Sequence, residues 1–296
     1  MDFQQEVLDL FDQQLMDWEL ARNNYEALSR VRVKNFLFDG FNIEVQFNPE
    51  RIRSTTAPVQ IPADTVRPDC FLCESNLPAE QKQIRWKDSW LILCNPYPVF
   101  SKHLTIASGK HIPQALFPSL DDFLSLAEVL PGFVVFYNGA NCGASAPMHL
   151  HFQAGIKSEF PLYSDYNSVR ERYGGIISAE NNCELIRIAD GIRRFYAIES
   201  SDKASVLRFF TDKYAGTEPD INVLSWVDRG KWIVCVFERK AHRPSCYYEP
   251  EETRLLVSPA SVEMAGKVIL PELSGFERIV QSDLKKIFAE VINRDS

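Results

Sequence analysis

The chain has 296 residues, 45% hydrophobic and 24% charged, enough to bury the core of one large or two medium domains. A formal net charge of −8 argues against a protein that grips long nucleic acid through its phosphates, because such binding needs clustered Lys and Arg; small phosphorylated ligands stay open. No run reaches the roughly 18 apolar residues of a membrane span, and no basic-then-apolar secretory layout opens the chain, so a cytoplasmic protein with no membrane partner is expected.

In chain order, residues 2–29 carry Leu8, Phe11, Leu15 and Trp18 at three- and four-residue steps, the pattern of one amphipathic helix. Residues 34–47 predict a β-hairpin about Asp39-Gly40, a pair suited to the positive φ angles of a tight turn. A polar connection follows, in which Arg51 and Arg53 precede Ser54, Thr55 and Thr56; it reads either as a phosphate-binding segment or as a solvated loop. Strands are predicted at 90–94, 104–107 and 133–137, with a helix at 121–130 between them and without the glycine punctuation of a dinucleotide fold. Further strands are expected at 223–227, 231–238 and 254–257, the first two joined by a turn at Asp228-Arg229-Gly230, and a last helix at 281–293. No exact internal repeat is visible.

Four of the five histidines, His103, His111, His149 and His151, fall within fifty residues. His149 and His151 are two apart, so on a strand their rings leave one face, Gln153 continues that face, and Leu150 and Phe152 point into a core. Ahead of them runs Asn138-Gly139-Ala140-Asn141-Cys142-Gly143-Ala144-Ser145-Ala146-Pro147, small residues whose backbone N–H groups can approach an anion closely. The seven cysteines read as reduced thiols, and among them Cys70-Phe71-Leu72-Cys73 supplies half of a tetrahedral metal site. With no second cysteine pair at that spacing, His111 and His149 are the candidates for the other half, leaving His151 for chemistry; two merely buried cysteines are the plainer alternative.

These residues resemble the transferase branch of the histidine-triad superfamily, which contains galactose-1-phosphate uridylyltransferase, diadenosine tetraphosphate phosphorylase and GDP-L-galactose phosphorylase. The likeness rests on Asn138-Gly139-Ala140, Gly143, Ser145, Pro147 and His149-Leu150-His151-Phe152-Gln153, and extends more loosely over residues 67–275 through Arg239-Lys240-Ala241-His242-Arg243-Pro244 and Met264-Ala265-Gly266. The resemblance implies that His151 is the nucleophile, that Gln153 assists it, and that Cys70, Cys73, His111 and His149 hold a structural zinc. It further implies that Asn95 lies near the nucleoside and Ser145 near the phosphate. Asn138 and Gly143 join the expected nucleotide-binding set. His103 either faces the nucleotide or caps a strand, and Arg239, His242 and Arg243 either hold a second phosphate or form a solvated basic cluster.

The implied fold is α+β, with two histidine-triad-like halves, each a mainly antiparallel sheet flanked by helices, the second half degenerate. The expected division is an N-terminal helix and hairpin extension at 1–66, a catalytic half at 67–160 and a companion half at 161–296. The implied function is that of a nucleotidyltransferase or phosphorylase acting on a nucleotide sugar or dinucleotide and a phosphate-bearing acceptor, through a nucleotidyl-histidine. Related hydrolases carry a third histidine where Gln153 stands, so a pyrophosphohydrolase is the nearer alternative. A non-enzymatic zinc-stabilised module is the more distant one.

Overall fold

The computed structural model describes residues 2–56, 70–180, 182–214 and 217–293. The single N-terminal helix expected from periodicity is two helices, α1 (Phe3–Asp17) and α2 (Glu19–Leu28), parted at Trp18, whose φ of −116° and ψ of 102° are extended. Asp2 caps α1 by accepting the Gln4 N–H. Below the break the indole of Trp18 is buried, and α2 brings the Tyr25 hydroxyl to the carbonyl oxygens of Asn95 and His103, at 3.0 and 3.1 Å. Periodicity reports the apolar face of a helix; it is blind to an interruption that tertiary packing imposes.

The predicted hairpin forms as β1 (Arg32–Phe38) and β2 (Phe41–Phe47), with Gly40 at φ +84°, where its lack of a Cβ matters. β2 also pairs, in parallel, with β13 (Lys267–Leu270) from near the other end of the chain, closing a three-stranded sheet. Residues 49–51 and α3 (Ile52–Thr55) replace the expected open connection with tight helical turns.

The second sheet has ten strands: β3 (Gln83–Trp86), β4 (Trp90–Cys94), β5 (His103–Ser108), β6 (Phe133–Asn138), β7 (His151–Ile156), β8 (Gly174–Glu180), β9 (Cys183–Ala189), β10 (Arg194–Ser200), β11 (Ile221–Asp228) and β12 (Lys231–Glu238). Their spatial order is β3-β4-β5-β7-β6-β11-β12-β10-β9-β8, antiparallel throughout. Read inward from either edge, each half runs first, second, third, fifth, fourth strand, and a helix follows the third strand in both: α4 (Leu120–Val129) and α6 (Lys203–Tyr214). The fold is thus an internal repeat that leaves no trace as an exact sequence repeat. β12 takes the place of β7 and reads Lys231-Trp232-Ile233-Val234-Cys235-Val236-Phe237-Glu238, with no histidine. Arg229 and Gly230, both at positive φ, turn β11 directly into β12, whereas β6 reaches β7 through the long loop 139–150.

α1, α2, α4 and α6 pack on one face of this sheet with Ile92, Ile106, Val135 and Phe152. The other face, with Phe100, Val134 and Phe136, carries the three-stranded sheet, α5 (Pro161–Tyr173), α8 (Leu273–Arg278) and α9 (Gln281–Val291). The expected strand at 254–257 does not form. Leu255, Leu256 and Val257 are buried, but no strand lies beside them to complete a ladder, so burial alone gave the apolar run its strand-like look. No helix among the described residues is long and apolar enough to cross a membrane.

Candidate active site

Alternation along β7 sends Phe152 and Ala154 into one core, with Phe152 stacked on Trp90 at 4.7 Å, and turns His151 and Gln153 to the opposite face. There they line a cavity of about 440 Å³. Its wall on the β4 side is largely apolar, with Phe71, Leu72, Pro78, Leu93 and Pro96, together with Trp18 from the helix break. On the β6 side stand Asn138, Gly143, Ser145, Arg51, His242, Arg243, Ser258 and Glu263. Ser258 and Glu263 lie just before and in α7 (Ser261–Met264), and His242 and Arg243 follow β12, so the second half completes the pocket of the first.

His151 is 2% exposed, and its Nδ1 lies 2.8 Å from the carbonyl oxygen of His149. A carbonyl only accepts, so Nδ1 carries the proton and donates it. Burial pushes the imidazole pKa down to about 4, which keeps the ring neutral near pH 7 and leaves a lone pair on Nε2. That Nε2 is buried without a hydrogen-bond partner among the described residues. An unpartnered lone pair on a residue that lines a cavity is a candidate for a nucleophile or a ligand contact.

The backbone of His151 is clamped by Gln114, which the sequence did not single out. Its Oε1 accepts the His151 N–H at 2.9 Å, and its Nε2 donates to the carbonyl oxygens of His151 and Asn138, at 3.0 and 2.9 Å. Asn138 Oδ1 in turn accepts from Asn222 and from the Ser261 N–H, joining the small-residue loop to β11 and α7. In that loop Gly143 has φ +100°, and a Cβ there would come 2.5 Å from the Cβ of Ala260, so the loop can lie this close only with glycine.

His149 does not share the face of His151, as a strand running through both would have required; it precedes β7, and its ring turns to the two cysteines. Cys70 Sγ is 3.3 Å from His149 Nδ1, and Cys73 Sγ is 3.2 Å from His111 Nδ1 and 3.6 Å from His149 Nδ1. The four ligand atoms lie within 4.8 Å of one another. Tetrahedral zinc with bonds of about 2.0–2.3 Å holds its ligand atoms at comparable separations, so the set fits a metal ion. His149 Nε2 is 2.8 Å from the Ser108 carbonyl, which fixes the proton there and leaves Nδ1 as the ligand atom.

Asn95 lines the cavity with both ends of its amide engaged, donating to Thr105 Oγ1 at 3.0 Å and accepting the Tyr97 N–H at 2.9 Å. Arg51 reaches the same cavity, its guanidinium donating to the Tyr97 carbonyl at 2.8 Å. The side chain of Arg53 lies outside the described residues. His242 Nε2 and Arg243 Nε meet on Ser258 Oγ at 2.8 and 3.1 Å, and His242 Nδ1 is buried without a partner among the described residues. Arg239 departs from the expectation. It is 5% exposed, does not line the cavity, and donates to Asn222 Oδ1 and to the carbonyls of Pro259, Ala241, His242 and Val291. Its charge is spent on carbonyls that would otherwise be unsatisfied, and it acts as a brace behind the basic wall.

Glu263 is a cavity residue that the sequence did not reveal. Burial raises its carboxyl to about 7, against the Ala260 N–H that it accepts at 2.8 Å and the nearby Arg51 charge. Four residues of short helix gave no amphipathic signal by which to single it out.

Residues 10–156 match the family described as Domain of unknown function (DUF4922), a span that contains the four metal-ligand candidates, His151 and Gln153. Galactose-1-phosphate uridylyltransferases of Lactococcus lactis subsp. cremoris, strains SK11 and MG1363, are each 23% identical over 238 residues, covering 66% of this chain and 47% of the relative. The chain therefore spans about half the length of the curated relatives it matches. In fold it is similar to yeast Ap4A phosphorylase Apa2. The crystal structure in complex with Ap4A gives a TM-score of 0.61 at 15% identity, covering 97% of this chain and 96% of that one. The complex with AMP gives 0.56 at 17%, covering 94% and 95%.

Proposed function

Because this chain resembles the transferase branch of the histidine-triad superfamily in fold and in the motif about His151, we propose that it is a nucleotidyltransferase or phosphorylase acting on a nucleotide sugar or a dinucleotide. The observation that carries the reading is the buried, unpartnered lone pair of Nε2 on His151, a residue that lines the cavity. That lone pair attacks the α-phosphorus of the donor; the P–N bond forms as the P–O bond to the leaving phosphate or sugar phosphate breaks, its electron pair departing on oxygen. The Nδ1–H stays on the His149 carbonyl throughout and disperses the positive charge that the ring acquires. In the second displacement a phosphate oxygen of the acceptor attacks the same phosphorus, the P–N bond breaks, and Nε2 regains its lone pair.

Gln153 offers amide N–H donors to the non-bridging oxygens, and the backbone about Gly143 and Ser145 cradles the phosphate. Asn95 and Asn138 border the nucleoside and the phosphate, while Arg51, His242 and Arg243 receive the leaving or accepting phosphate on the basic wall. Cys70, Cys73, His111 and His149 would hold a structural zinc; four protein ligands close its shell, so it supplies geometry to His149 and no activated water. The seven free cysteines suit a reducing compartment such as the cytoplasm.

The test is to incubate the protein with α-labelled nucleotide sugars and dinucleotides and trap the label. The reading expects an acid-labile, base-stable adduct on His151 that a phosphate acceptor discharges, and no adduct on His151→Ala. Equal labelling of His151→Ala, or no labelling of the wild type by any donor, overturns it. Discharge by water as fast as by phosphate would make the protein a pyrophosphohydrolase.

A further inference from the structure

His103 sits beside Gln153 on the cavity face of the sheet, β5 against β7, and its ring is 1% exposed. Both of its nitrogens are committed within the protein. The Val99 backbone N–H points at Nδ1 over 3.4 Å, so Nδ1 is an acceptor and bears no proton. Burial holds the ring pKa at about 3, with the Arg51 charge adding to the shift, so the ring is neutral and its one proton is on Nε2. Nε2 lies 2.9 Å from Gln153 Oε1. The aromatic ring of Phe100 meets the imidazole edge-on at 5.4 Å, and Phe136 lies against it at 6.0 Å, so the ring is packed between two aromatic side chains. A backbone N–H cannot be reassigned, so this chain of donors and acceptors settles the otherwise ambiguous sense of the Gln153 amide.

From this geometry we propose that His103 is a positioning residue: it holds Gln153 by its oxygen and so turns the two amide N–H donors toward the phosphate bound at His151. The inference rests on the nucleotidyl-transfer reading and reassigns His103 from a ligand contact to the group behind one. No described residue accepts a hydrogen bond from the Gln153 amide nitrogen, and Gln153 lines the cavity, so those donors are available to a ligand. Without His103 the amide can rotate by 180° and present its oxygen to an anionic phosphate, which repels it. The donors serve the charge that develops in the transition state, so the effect falls on kcat rather than on KM.

Two measurements test this. In the wild-type protein, long-range ¹H–¹⁵N spectra of the five histidine rings, assigned through each ring's couplings to its own backbone, are expected to show His103 as the neutral Nε2–H form; an Nδ1–H form overturns the proposal without any variant needing to fold. In label transfer, Gln153→Leu is expected to lower kcat by about 10²-fold, the cost of a lost oxyanion donor. His103→Phe should lower it by roughly tenfold with KM unchanged, because the amide then samples two orientations and still finds the productive one. The double variant should match Gln153→Leu alone, since His103 acts only through that amide. His103→Gln, which restores an N–H donor, should recover part of the loss. A His103→Phe variant with wild-type kcat, or losses that multiply in the double variant, overturns the positioning role. A wild-type protein that transfers no label instead refutes the proposed function, so the two failures are distinguishable.

Discussion

The Nδ1–H of His151 donates to the carbonyl oxygen of His149 across 2.8 Å, and the ring of His149 is at the same time a member of the metal-binding cluster. Two residues apart in sequence, the pair joins the candidate metal cluster to the candidate nucleophile: whatever fixes the His149 ring also fixes the carbonyl that orients His151. This link governs several expected outcomes.

The metal cluster should act on activity from a distance. Replacing Cys70 with Ser removes one thiolate from the four-ligand set, and metal content measured on the purified protein should fall from about one ion per chain to a small fraction. The variant should unfold at lower urea and show reduced kcat, because the His149 carbonyl loses its anchor. His111→Ala, at the exposed rim of the cluster, should lower metal affinity while retaining more activity than Cys70→Ser. Full kcat in metal-free Cys70→Ser would show that the cluster and His151 are uncoupled.

The pH dependence follows from burial. On the proposed mechanism only the neutral His151 ring attacks phosphorus, and burial holds its pKa at about 4, so kcat/KM should stay level from pH 7 down to about 5 and fall only as pH approaches 4. Stability should change earlier. His103 at about 3, His151 at about 4 and His242 at about 4 are all depressed, so below the unfolded value of about 6.5 the unfolded chain binds protons that the folded chain refuses. The contribution of these three imidazoles is therefore complete above pH 6.5 and declines as pH drops toward 4, by about 1.4 kcal/mol for each unit of depression, offset in part by Glu263, whose raised pKa of about 7 favours the folded state as pH falls. Urea titrations at several pH values read this slope, and His151→Asn should flatten it. An acid limb of kcat/KM near pH 6.5 would contradict the buried neutral imidazole.

Gln114 should matter although it touches no substrate atom. Gln114→Ala deletes three hydrogen bonds around the His151 and Asn138 backbone and leaves their polar groups buried without partners. A loss of about 2–4 kcal/mol in stability is expected, together with a fall in kcat larger than any rise in KM. Thermal unfolding and steady-state kinetics on one preparation check both; unchanged kcat would remove Gln114 from the positioning of the nucleophile.

Arg239 and Arg243 should separate cleanly. Arg239→Met leaves several buried carbonyls unsatisfied and should cost about 3 kcal/mol or more in stability, without a selective effect on the acceptor. Arg243→Met, on the cavity wall, should raise the KM for the phosphate acceptor more than it lowers stability. The reverse pattern would exchange their roles.

Local patterns determined much of this protein. Period-two alternation put His151 and Gln153 on one face with Phe152 opposite, glycine-containing pairs marked the turns at Asp39-Gly40 and Arg229-Gly230, and a two-residue cysteine spacing announced a metal half-site; each depends only on geometry between near neighbours in the chain. Tertiary structure decided the rest. It broke the first helix at Trp18, left 254–257 without a partner strand, joined β2 to β13, and carried a repeat in strand order that no exact sequence repeat announces. It also sorted residues of the same kind into different settings: Arg239 into a carbonyl brace and Arg243 onto the cavity wall, His151 with an unpartnered Nε2 and His103 with both ring nitrogens engaged by Val99 and Gln153. The physical reason is that a buried polar group takes its role from whichever donor or acceptor the fold brings within about 3 Å, and those partners come from parts of the chain that no local window contains.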